Sequence, residues 1–236
     1  MKKILMAPTA VALLATGAHA EDTKIGILLG FTGPLESLAN DMAAGAELAI
    51  SEVNESGNFL GGATVTSERG DTGCIDAGLA VASAERLITS DRVSGIVGGM
   101  CSGETTASLQ NVAIPNGIVM ISPSATSPAL STVEDNGLFF RTSPSDARQG
   151  QVMADILNDR GIKEVAVTYT NNDYGKGLAD SFQAAFEAAG GSVTINAAHE
   201  DGKADDSAEV GVPCADGGAR PVVGGGGRAL VPSRTR

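Results

Sequence analysis

The chain contains no tryptophan, two tyrosines and six phenylalanines among 236 residues, so aromatics make up only 3% of it. Surfaces that stack sugars or single-stranded bases are built on aromatic rings, and this sequence has too few to furnish one. Basic residues are also scarce: 16 Lys and Arg face 28 Asp and Glu, a formal charge of −12. A nucleic-acid partner needs a basic face opposite its phosphates, so that class is excluded. No segment after the N-terminal region approaches the roughly 20 continuous apolar residues of a membrane-spanning helix. Histidines number two and cysteines three, with no second ligand pair to complete a metal site. Gly26, Gly30 and Gly33 do not make the G-x-G-x-x-G pattern of dinucleotide binding, and a phosphate-binding loop is missing. His199 is the only histidine beyond His19, and no nucleophile–base pair stands out. An enzyme, a metal and a cofactor are therefore not expected.

What is present begins with an export signal. Lys2 and Lys3 precede an apolar stretch over residues 4–14, broken only by Pro8 and Thr9, and Ala18-His19-Ala20 supplies small residues at a cleavage site. That order is a secretory leader over residues 1–20, too short in its apolar part to anchor in a bilayer. The mature chain is expected to start at Glu21 and to lie outside the cytoplasm, in the periplasm. Its apolar content of 42% is enough for real cores, and its length allows one large or two small domains.

Charge is not spread evenly. Through Val210 the chain carries −15; residues 211–236 hold four arginines and one acid, Asp216, for +3. Gly224 to Gly227 are consecutive, with Pro213, Pro221 and Pro232 nearby. Such a segment is expected to be disordered.

Before it, short apolar runs alternate with helical patterns. Strands are predicted at residues 24–29, 63–68, 93–97, 117–121, 163–169 and 192–196. Helices are predicted at 38–55 (stopped by Gly57), 76–89, 104–113, 146–159 and 174–189. Strict alternation implies an α/β fold of parallel sheets with helices on both faces. Residues 138–144 (Leu-Phe-Phe-Arg-Thr-Ser-Pro) break the rhythm and are read as a crossover between a first lobe, 21–141, and a second, 142–210.

Such sheets take ligands beyond the carboxyl ends of their strands. The loops expected there are 30–34, 70–74, 98–103, 122–128 and 169–175. All are rich in hydroxyls and glycine and poor in strong acids and bases, which suits a small zwitterion held by neutral hydrogen bonds. Taken singly, the residues are less specific. Ser102 precedes a helix, where it either caps free amides or offers a carboxylate-binding terminus. Ser124 and Thr126 are turn residues by default and ligand donors when paired on one loop. Tyr174 packs at a helix start. Cys74 and Cys101 end neighbouring strands and can pair in an oxidising compartment; Cys214 has no evident partner.

Four motifs now agree in order and spacing: Gly30-Phe31-Thr32-Gly33-Pro34, Cys74 with Cys101-Ser102, residues 121–128 (Ile-Ser-Pro-Ser-Ala-Thr-Ser-Pro), and residues 172–177 (Asn-Asp-Tyr-Gly-Lys-Gly). Over residues 24–210 the chain resembles the periplasmic leucine/isoleucine/valine-binding proteins of ABC transporters, of the type I periplasmic binding fold. The resemblance implies two doubly wound lobes closing on an amino acid, with Ser102, Ser124, Ala125 and Thr126 holding it from the first lobe and Tyr174 from the second. It also implies a Cys74–Cys101 disulfide, an ABC permease as partner and a monomer; a sensor serving a receptor is the alternative. Family members are considerably longer. The second lobe is therefore expected to be incomplete, and residues 211–236 to be the product of a reading-frame shift.

Overall fold

The computed structural model describes residues 22–200 and the backbone of 220–224. The expected leader lies outside the described residues, as does the rest of the expected tail. Two parallel sheets divide the chain. The first contains β1 (Thr23–Leu29), β2 (Val65–Asp71), β3 (Gly95–Gly98), β4 (Val119–Ser122) and β5 (Phe139–Arg141) in the order β2-β1-β3-β4-β5. The second contains β6 (Glu164–Thr170), β7 (Ser192–His199) and β8 (Arg220–Gly224) in the order β7-β6-β8. The helices are α1 (Glu36–Ser56), α2 (Ala77–Glu85), α3 (Ser102–Ser108), the single turn α4 (Ile114–Asn116), α5 (Asp146–Asp159) and α6 (Asp173–Ala188). None of the described helices is long and apolar enough to cross a membrane.

The first sheet is wound on both faces because its central strand is apolar in both directions. Successive residues of a strand point to opposite sides. Ile27 and Leu29 therefore pack with Ala39 and Ala43 of α1, while Leu28 joins Ile96, Met120 and Phe139 against Ala84, Leu87, Leu109 and Val112 on the other side. All of these are under 9% exposed. The expected helix stop is met at Gly57, which caps α1 in the left-handed conformation at φ 63°.

In the second unit, Val165 and Val167 of β6 bury against Ala154 of α5 and Ala179, Phe182 and Phe186 of α6. The rings of Phe182 and Phe186 stack at 5.4 Å. Gly150 lets α5 and α6 touch backbone to backbone: a Cβ there would stand 2.6 Å from the Phe182 amide nitrogen. β7 alternates exposed and half-buried residues, as an edge strand with one covered face should.

Two expectations change. Phe139–Arg141, read as part of a crossover, is a strand: Phe139 and Phe140 pair with Met120 and Ile121 of β4. Its three residues are too few for a periodic signal, and among the described residues only 142–145 connect the two units. Within the segment expected to be disordered, Arg220–Gly224 pairs in parallel with Val165–Tyr169 of β6. Pro-Val-Val there is apolar enough for a strand, and a proline is tolerated at an edge; flanking glycines masked it.

Candidate functional site

Strand order 2-1-3-4-5 reverses between β1 and β3, and an open α/β sheet receives its ligand beyond the strand ends at such a point. The loops after β1, β2, β3 and β4 converge here and are tied together. Cys74 and Cys101 form a disulfide with their Cα atoms 5.4 Å apart, joining the β2 loop to the start of α3. Thr32 donates its amide (3.1 Å) and its hydroxyl (2.6 Å) to Asp71, joining the β1 and β2 loops. The Ser122 hydroxyl donates to the Gly99 carbonyl at 2.6 Å and that of Ser124 to the Met100 carbonyl at 2.7 Å, joining the β3 and β4 loops. Arg141 fastens the last of these loops by donating to the Ser127 carbonyl at 2.8 Å and to the Ala125 carbonyl at 3.3 Å.

These bonds assign a polarity to each expected ligand residue. Ser102 is buried, and its oxygen accepts the Ser127 amide at 3.1 Å. Among the described residues, its hydroxyl hydrogen has no acceptor. Ser102 does not cap α3; Cys101 holds the capping position and Ser102 is the first helical residue. Ser124 commits its hydrogen to Met100. Thr126 commits its hydrogen to Asp146, Oγ1 to Oδ2 at 2.7 Å, and its carbonyl accepts the Asp146 amide at 2.9 Å. Both hydroxyls therefore spend their hydrogens within the protein and keep lone pairs as acceptors. Ala125 is fully buried and turns its amide inward to Ser122 at 2.9 Å, so it shapes the loop between Ser124 and Thr126.

Tyr174, in the first turn of α6, is half-buried. Burial, together with the charge of Asp146, lifts its phenol above the ordinary value. It thus stays neutral and able to donate or accept near pH 7. The two units also meet where Gly103 of α3 faces Asp173; a Cβ on that glycine would lie 3.8 Å from the carboxylate. Ser102, Ser124, Ala125 and Thr126 thus share one loop cluster, and Tyr174 reaches it through the charge of Asp146.

Two acids of this cluster were not legible as site residues. Asp146 looked like an ordinary acid in a first helical turn, where the dipole favours one. Glu104 looked like the third residue of a Ser-Gly-Glu helix start. It is 2% exposed, and its Oε1 accepts the Met100 amide at 2.6 Å and the Cys101 amide at 2.9 Å. Burial raises its carboxyl to about 7, against the opposing pull of those amides and the Thr72 hydroxyl. The signal for both was position: each lies in the first turn of a helix that follows a strand of the first sheet.

Two parallel α/β units joined by a short connection, with loops from both meeting beyond the strand ends, define a two-lobed fold. The chain belongs to the periplasmic binding protein family, whose model matches residues 22–223. Among curated relatives, it is 35% identical over 177 residues to Leu/Ile/Val-binding protein homolog 3 of Brucella melitensis, covering 75% of this chain and 46% of that protein. Among solved structures, it is similar to a leucine binding protein of Thermotoga maritima (TM-score 0.75, 25% identity, 85% of this chain and 55% of that one). It is also similar to a branched-chain amino acid transporter substrate binding protein of Streptococcus pneumoniae in complex with isoleucine (TM-score 0.73, 27% identity, 86% and 56%). The chain spans about half the length of the relatives it matches. The family is one of binding proteins, and the Streptococcus pneumoniae relative is a substrate binding protein.

Proposed function

We propose that the chain is an extracytoplasmic solute-binding protein that captures a small amino acid of the branched-chain type and delivers it, as a monomer, to an ABC permease in the inner membrane. The observation that carries this reading is the division of hydroxyls. An amino acid presents an acceptor at its carboxylate and a donor at its ammonium. Ser102 keeps a hydrogen for the first; Ser124 and Thr126 keep lone pairs for the second. Tyr174 adds a neutral group from the other lobe. The ligands for which the relatives are named, leucine, isoleucine and valine, have this zwitterionic head and an apolar side chain.

Calorimetric titration with leucine, isoleucine and valine tests the reading. At least one is expected to bind, and Ser102→Ala is expected to weaken it about 10- to 100-fold, the range for losing a hydrogen bond to a charged group. An absence of heat with all three ligands, or a Ser102→Ala variant binding like the parent, counts against it.

A further inference from the structure

Glu104 is buried under the loop that leads into Ser102, and its two oxygens are used unequally. Oε1 accepts both the Met100 and the Cys101 amides, whereas Oε2 meets no partner of full hydrogen-bond geometry among the described residues. The β3 loop is folded hard against it: a Cβ on Gly99 would stand 2.4 Å from Oε2 and 2.8 Å from the carboxyl carbon. That division suits a neutral acid, which keeps one oxygen to accept the amides and carries its proton on the other. Burial favours the same form, at about 7. The elements packed around α3 bring Asp71 from β2, Asp76 and Glu85 from α2 and its cap, and Asp173, Tyr174 and Lys176 from α6. Asp71 is taken up by Thr32 and the Gly73 amide, Asp76 caps α2, and Lys176 pairs with Asp180. No charged side chain shifts Glu104; burial leads, and the two amides and the Thr72 hydroxyl oppose it. The backbone it holds carries the site: the Met100 carbonyl accepts the Ser124 hydroxyl, and Cys101 runs directly into Ser102.

Building on the amino-acid reading above, we propose that Glu104 is a positioning residue for the solute's carboxylate that works in its protonated form, so that binding is coupled to a proton. Protonated, it ties the Met100–Cys101 backbone without placing a charge under the site that receives an anion at Ser102. Ionised, it puts a second carboxylate into the same buried loop, where like charges disfavour one another. A solute that meets the ionised form therefore draws a proton from solvent onto Oε2. The complex then holds more protons than the free protein, and affinity falls as pH rises. Asp146, the other acid raised by burial, is bonded to Thr126; a cation arriving there drives a proton off, which is the opposite sign.

Calorimetry of leucine binding to the full chain at about pH 7.5, repeated in buffers of different ionisation enthalpy, counts the protons. For a rise of about one pH unit in the acid on binding, the expected uptake is about half a proton per leucine. The affinity then falls roughly 7-fold between pH 6 and pH 8.5. In Glu104→Gln, which keeps a carbonyl for the two amides and cannot ionise, both the uptake and the slope should disappear, and leucine should bind more tightly than to the parent at pH 8.5. The proton count is made on the parent, so it stands even where the variant folds poorly. Leucine binding with no proton exchanged, or with protons released, overturns the assignment and leaves amino-acid binding intact, as does a slope that persists in Glu104→Gln. A parent that binds no leucine at either pH overturns both.

Discussion

Replacing Cys74 and Cys101 together by alanine is expected to lower the melting temperature by about 7–14 °C. The bridge links residues 27 apart in sequence and closes a loop containing α2 and β3. On the chain-entropy model, opening a loop of that size restores unfolded-state freedom amounting to about 3.5 kcal/mol. In a chain of this size, each kcal/mol moves the midpoint by roughly 2–4 °C. The folded state loses something as well. Cys74 is buried and sits in the left-handed region at φ 67°, a conformation unfavourable for a residue with a Cβ. The bridge is one of the restraints that keep it there. Cys101 is the residue before Ser102 and opens α3, so the loosened end is the one that presents the hydroxyl. Thermal melts of the double variant, and of the parent with and without reductant, measure the effect. Identical midpoints in all three would remove the bridge from the stability of this lobe.

The lobe architecture was readable because buried parallel strands are apolar on both faces. Residues 24–29 have no polar alternation to confuse with an edge, and each such run ends in a glycine- or serine-rich loop. Legibility failed where an element is short or its neighbours speak louder. Phe139–Arg141 pairs only three residues, and Pro221-Val222-Val223 is followed by four glycines. For the candidate site, the sequence names hydroxyls but cannot show the bonds they make within the fold. Whether Ser124 donates or accepts depends on the Met100 carbonyl 24 positions away, and the state of Thr126 on Asp146, 20 positions away. Local turn chemistry favours a different bond for each, and tertiary contacts override it. The same limit hid Glu104. Nothing in Ser-Gly-Glu says that its third residue will be buried, because burial comes from the β3 loop folding back over α3.

That burial makes the protein's stability fall as pH rises. An acid held near pH 7 in the folded chain, against 4.5 ordinarily, binds its proton more tightly when folded. Between these values the folded state carries more protons than the unfolded one, so the slope of unfolding free energy with pH is negative. The contribution is fully present below about pH 4.5 and is lost as pH passes about 7. A difference of two to three pH units corresponds to about 3 kcal/mol. Asp146, also raised by burial, adds in the same direction. Asp22 and Glu47, both held below their ordinary values by hydrogen-bonding partners, change stability in the opposite sense at lower pH and leave this window clear. Glu104→Gln has the shape of the neutral acid and keeps a carbonyl for the Met100 and Cys101 amides. The parent should therefore melt lower at pH 8 than at pH 5, whereas the glutamine variant should match it at pH 5 and exceed it at pH 8. A parent whose melting point does not change between those pH values, or a variant weakened equally at both, would show that Glu104 is ionised in the folded chain. Its two amide bonds would then outweigh its burial, and the loop beneath Ser102 would rest on a charge instead of a proton.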